Sequence, residues 1–149
     1  MKTVPRDIVF FLAPDDESAA ATRDRHPTPE FQGLEFHNFD PDMAVVEWAR
    51  HLEAPGRPFT GDEQKTRGEW PRYVAEYRND GIGVFVMPDK LRAALANATR
   101  DELLGVAQRW GEFLVEIDED ELTAGERLEV VHGVATLAED ELGLYCWVW

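Results

Sequence analysis

Gly81-Ile82-Gly83-Val84-Phe85-Val86-Met87-Pro88-Asp89 is the stretch whose reading decides the fold. From Ile82 to Met87 no side chain is charged or polar, so the run reads as a strand covered on both faces. Pro88 stops that strand, and Asp89 stands as the N-cap of a helix running to about Asn97. Thr99-Arg100-Asp101-Glu102 then fits a capping box, and Leu103, Ala107, Trp110, Leu114 and Ile117 recur at steps of four and three, which predicts a core-facing stripe. Thr123-Ala124-Gly125-Glu126 offers a second capping box. Behind it Leu128, Val131, Ala135, Ala138 and Leu142 repeat the spacing, and Gly143 is predicted to end the helix.

Working outward, Ile8 to Leu12 is apolar on both alternating faces and predicts an interior strand. Leu144 to Trp149 predicts another, with Leu144, Cys146 and Val148 on one face and Tyr145, Trp147 and Trp149 on the other. Such segments must lie side by side to hide both faces. Pro14-Asp15-Asp16-Glu17 starts a short helix to about Thr22, with its acids where the positive end of the helix dipole favours them. Leu34 and Phe36 alternate with Glu35 and His37 as in a short edge strand. Asp40-Pro41-Asp42 opens a helix to about Glu53, whose Val45, Trp48, Ala49 and Leu52 share a face.

Glu69 to Asp80 fits either a strand, through alternating Tyr73, Ala75 and Tyr77, or a helix begun at Pro71. The strand is preferred, with Asn79-Asp80-Gly81 as a hairpin turn. Ala54 to Gly68 reads as a loop and, with Glu69 and Trp70, as a candidate binding rim. The expected architecture is a single α+β (mixed α/β) domain over residues 1–149. Its sheet of N-terminal, middle and C-terminal strands is packed by four or five helices.

With 149 residues, 44% of them hydrophobic, the chain is long enough to bury a core without staples. Its net charge of −15 argues against direct nucleic-acid contact or an anionic membrane, and leaves a basic protein as the candidate partner. One cysteine forms no internal disulfide, no signal-peptide pattern opens the chain, and no apolar run spans a bilayer, so the expected location is the cytoplasm.

Several chemistries are excluded by residue type and spacing. The single serine, Ser18, lacks the glycines of a nucleophile elbow. Cys146, flanked by aromatics in a strand, is expected to be buried and inert. Gly81-Ile82-Gly83 enters a strand where a dinucleotide fingerprint must enter a helix, and Val86 takes the place of its third glycine. Asp118, Asp120 and Glu129 match three positions of a calcium loop, but Leu122 replaces a ligand and Thr123 the turn glycine.

What remains is a short set of candidates. Glu47 and His51 stand one helical turn apart, opposite the apolar stripe, where a solvent-facing ion pair is the plainer reading. With His37 and Asp40 they form the one candidate set for a divalent cation, and no other cofactor is predicted. Trp70, beside Pro71, is the tryptophan with no place in a core stripe. With Tyr73 and His37 it makes the candidate ligand-binding group. His132 is expected on a helix surface.

Charge is unevenly spread. Glu112 to Leu142 holds eleven acids against one base, Arg127, and so ten of the fifteen net negative charges. Glu116, Asp118, Glu119, Asp120 and Glu121 form its densest part and are the candidate partner-binding residues. The alternative reading is a solvated face.

The short apolar first strand, the loop Gly56-Arg57-Pro58-Phe59-Thr60-Gly61, and the amphipathic helix passing through a glycine into an apolar strand, Leu128 to Trp149, resemble small uncharacterised bacterial proteins of the YfbM-like kind and related actinobacterial proteins. The resemblance covers element order over about two thirds of the chain and implies an α+β fold. It assigns no functional residue. The functional expectation is therefore a non-enzymatic binding or interaction domain with an acidic helical face. One alternative is an inhibitor or immunity-type protein that neutralises a basic nuclease or nucleic-acid-binding protein. The other is a small metal-dependent or acid/base enzyme using Glu47 and His51.

Overall fold

The three two-faced segments do pair with one another, as their apolar runs require. In the computed structural model, which describes residues 7–23, 26–28, 30–53, 72–75, 83–119 and 121–148, β1 (Asp7–Ala13) lies antiparallel to β5 (Gly143–Val148). On its other side β5 pairs antiparallel with β4 (Gly83–Val86). Two edge strands complete the sheet: β2 (Gly33–His37) on β1 and β3 (Arg72–Ala75) on β4, in the order β2-β1-β5-β4-β3. Cys146 sits at its centre, opposite Phe10 on one side and Phe85 on the other.

Five helices are present among the described residues: α1 (Asp16–Ala20), α2 (Pro41–Glu53), α3 (Asp89–Asn97), α4 (Arg100–Glu116) and α5 (Ala124–Ala138). Period-two alternation divides the sheet between two cores. Ile8, Phe10, Leu12, Phe85, Cys146 and Val148 face α2 to α5, where Trp110 meets Trp48 edge to face at 5.4 Å and Phe39 at 5.2 Å. Val9, Phe11, Ala13, Val84, Tyr145 and Trp147 face the other way, with Ala19 of α1 and Phe31 packed against them. The fold is α+β, with an antiparallel sheet.

Both capping boxes form. Thr99 Oγ1 accepts from Glu102 N at 3.1 Å while Glu102 accepts from Thr99 N at 2.8 Å, and Thr123 and Glu126 repeat the arrangement. The α4 stripe is as read, with Leu103, Ala107, Trp110 and Leu114 buried. β3 takes the strand alternative for residues 72–75, with a register shift between Tyr73 and Ala75. The turn at Asn79-Asp80-Gly81, the 56–61 loop, Trp70, Asp120 and Trp149 lie outside the described residues.

Three local readings change. Pro88, not Asp89, is the N-cap of α3; its backbone is extended and its carbonyl accepts from Arg92 N at 2.9 Å. Leu142 is not in the α5 stripe, because the helix ends at Ala138 and Leu142 is 43% exposed. The cause is local: the Asp140 carboxylate accepts from Leu142 N at 3.0 Å, a side-chain turn that competes with another round of helix. Gly143 accordingly opens β5 and does not end α5. A Cβ there would stand 2.7 Å from the Tyr145 ring and 3.1 Å from Ala13 O, so the glycine is what lets the ring fold over the strand start.

Candidate functional site

Glu47 and His51 come together on α2, with His51 Nε2 3.0 Å from Glu47 Oε2, and Arg50 Nη1 donates to Glu47 Oε1 at 3.3 Å. They are not on a solvent face: Glu47 is only 6% exposed. Trp48 of α2 meets Phe10 of β1 while α3 and α4 flank the helix, so its buried arc is wider than one stripe and takes in Glu47. A buried carboxylate needs partners, and the two neighbours supply them.

The other members of the cation set lie elsewhere. His37 is at the sheet edge, with Nδ1 3.1 Å from Asp7 and Nε2 3.7 Å from Glu35, whose second oxygen reaches His26 at 2.9 Å. Asp40 precedes α2, and its carbonyl accepts from Ala44 N at 3.0 Å. Among the described residues no three His, Cys, Asp or Glu side chains are arranged to hold a metal ion. The ligand group divides as well. Tyr73 belongs to β3 and His37 to β2, the two opposite edges of the sheet. Tyr73 packs edge-on against Phe85 at 5.5 Å and donates to Asp42 at 3.4 Å.

The acidic stretch is organised differently from what its composition alone conveys. Glu112, Glu116, Asp118 and Glu121 are exposed, and among the described residues none of them makes an ion pair. Arg127, the one base between Glu112 and Leu142, is turned inward: its guanidinium lies against Gly111 of α4 and Nη1 donates to Leu122 O at 2.6 Å. Its Nε is buried with no hydrogen-bond partner. A Cβ at Gly111 would meet that Nε at 2.5 Å, so the glycine creates the slot. Val115, 62% exposed, stands in the middle, and every charged residue within four positions of it is acidic.

A second feature is a groove of 540 Å³ between α3, the start of α4 and α5. Its floor is apolar, from Leu95, Ala96, Ala98, Leu103, Leu128 and Ala135, and its polar positions are Arg100, Glu129, His132, Thr136 and Glu139. The surface position expected for His132 holds, since the residue is exposed. That it lines a concavity was not readable from its own helix, because the opposite side is built by α3 and α4.

Apart from the helix-start carboxylates of Asp15 and Glu126, which their caps hold below the usual range, electrostatic perturbation centres on β5 and its contact with α1. Burial pushes the Cys146 thiol well above its ordinary value, which suppresses the thiolate and fits the inert role expected of it. Burial and the bond to Asp16 raise the Tyr145 hydroxyl, which donates to Asp16 Oδ1 at 2.7 Å. That same bond holds the Asp16 carboxyl below its usual range. No helix among the described residues is long and apolar enough to cross a membrane. No family model, no curated protein and no solved structure matches the chain.

Proposed function

We propose that the chain is a binding domain that recognises a basic protein through the acidic surface at the end of α4 and in the loop after it. One observation carries this reading. The single base of the stretch is withdrawn into a slot at Gly111, leaving the carboxylates around exposed Val115 without a neutralising partner among the described residues. These carboxylates also oppose the helix dipole. α4 ends in Glu116 with no base in its last turn, where a cation would be stabilising. Charges that stability disfavours are the ones to ask a function of. A narrower form of the reading is an inhibitor or immunity-type protein whose carboxylates stand in for phosphates on a nuclease or nucleic-acid-binding protein.

The test is capture from a native lysate on immobilised protein, with Glu116→Gln/Glu119→Gln/Glu121→Gln as control. The expected result is a captured protein of pI above about 9, released near 0.5 M salt and not retained by the variant. Equal capture by the variant would remove the reading. Release by duplex DNA would favour the narrower form.

A further inference from the structure

We infer that the groove between α3 and α5 receives an amphipathic helix of the partner, with leucine-like side chains on the apolar floor and lysine or arginine against Glu129 and Glu139. This rests on the reading that the partner is basic, and adds how that partner is held. The groove has the dimensions. α5 contributes a lining residue at every turn from Gly125 to Glu139, about 21 Å of helix at 1.5 Å per residue, enough to seat roughly four turns of a guest.

The enclosing elements favour a helical guest over an extended one. An extended peptide gains most from a sheet edge that offers free backbone groups, and here the lining is helical, with its backbone bonds largely closed internally. A guest helix also satisfies its own backbone and presents side chains alone, which is what an apolar floor can use. Ala96, Ala98, Gly125 and Ala135 keep that floor low.

Charge sets the guest's polarity. Glu129 and Glu139 are exposed, and among the described residues neither makes an ion pair, while the chain as a whole carries a net charge of −15. Glu129 belongs to α5 and Glu139 caps its end, so a basic flank on the guest meets them as its apolar stripe seats. Arg92, which reaches the end of α5, is already engaged: it donates to the carbonyls of Ala138 and Asp140. Arg100 is the exception in the lining. It places the negative C-terminal end of the guest helix on the α4 side.

The probe is a synthetic peptide of about 18 residues containing only leucine and lysine in helical amphipathic order, with a sequence-scrambled isomer as control. Binding is followed by heteronuclear NMR and fluorescence anisotropy. Thr136→Trp fills the groove from an exposed position, Glu129→Lys/Glu139→Lys reverses its charge, Glu116→Lys/Glu121→Lys reverses the acidic surface outside it, and Glu17→Lys/Asp89→Lys makes the same charge change away from both; melting curves verify that each variant folds.

The expected result is saturable binding with shifts concentrated on α3 and α5, weakened about tenfold or more by either groove change and by less than about twofold by Glu17→Lys/Asp89→Lys. Binding that Glu116→Lys/Glu121→Lys weakens while Thr136→Trp leaves it intact would overturn the groove and keep the acidic-surface reading. Absence of binding at about 0.1 mM peptide, or equal binding of the scrambled isomer, would overturn the groove as well. The lysate experiment would then judge the wider reading alone.

Discussion

Tyr145 shows how one side chain ties distant segments together. Its ring lies against Phe11, its start of strand is cleared by Gly143, and its hydroxyl donates to Asp16, 129 residues away in sequence. Removing the hydroxyl in Tyr145→Phe is expected to cost about 1 kcal/mol, below the usual range for a bond to a charged acceptor because water can take over at Asp16. Gly143→Ala forces the ring or the Ala13 carbonyl to move and is expected to cost about 1–3 kcal/mol; urea midpoints measure both.

The pH dependence of this bond has two sides. The Tyr145 hydroxyl ionises higher in the folded chain than its ordinary 10.0, so its contribution is full below pH 10 and is lost as pH rises beyond it. Asp16 is depressed from 3.8, so its contribution is present above that value and lost as pH falls below it. Tyr145→Phe should therefore flatten the stability profile at both extremes. Of the residues in this arrangement, Tyr145 and its face were legible from strand alternation. Asp16 as its partner was not, because a contact across 129 positions has no local signature.

At the level of elements, the helix starts were written in the chain because caps are local: Thr99 with Glu102 and Thr123 with Glu126 lie three residues apart and need no tertiary knowledge. The end of α4 was less visible. Ile117 closes it, Asp118 follows with φ at 58°, Asp118 N donates to Val115 O at 3.1 Å, and Glu119 N donates to Leu114 O at 2.8 Å. This is the Schellman pattern, with an aspartate where glycine would relieve the left-handed backbone. Asp118→Gly also removes a negative charge from the negative end of the helix. We expect it to stabilise the fold by about 1 kcal/mol, read as a raised urea midpoint at unchanged slope. A loss of stability would mean that the Asp118 side chain supports the turn.

At the level of the whole molecule, what could be read were the strands, whose two-faced apolar runs leave one way to pack, and the helical stripes that cover them. What could not be read depends on where one element meets another. Glu47 is buried because α3 and α4 flank α2, Arg127 turns inward because Gly111 belongs to a different helix, and the groove needs α3, α4 and α5 at once. The acidic surface lies between these cases: its charge is plain in composition, its lack of neutralisation is a tertiary fact.

That surface should weaken the protein that carries it. Glu112 and Glu116 are like charges one turn apart at the wrong end of a helix dipole, and like pairs at this spacing cost about 0.2–0.5 kcal/mol. Glu116→Gln is thus expected to raise the melting temperature at low salt, and Glu116→Gln/Glu119→Gln/Glu121→Gln to raise it further. Both gains should shrink toward zero near 1 M salt, where screening reaches about 3 Å. Differential scanning calorimetry across a salt series reads the effect directly. Stabilisation at low salt, together with loss of the captured basic protein, would show acids retained against the interest of the fold, as binding surfaces often are. Destabilisation would instead place these carboxylates in the ordinary support of the α4 to α5 turn and take away the reason to look for a partner there.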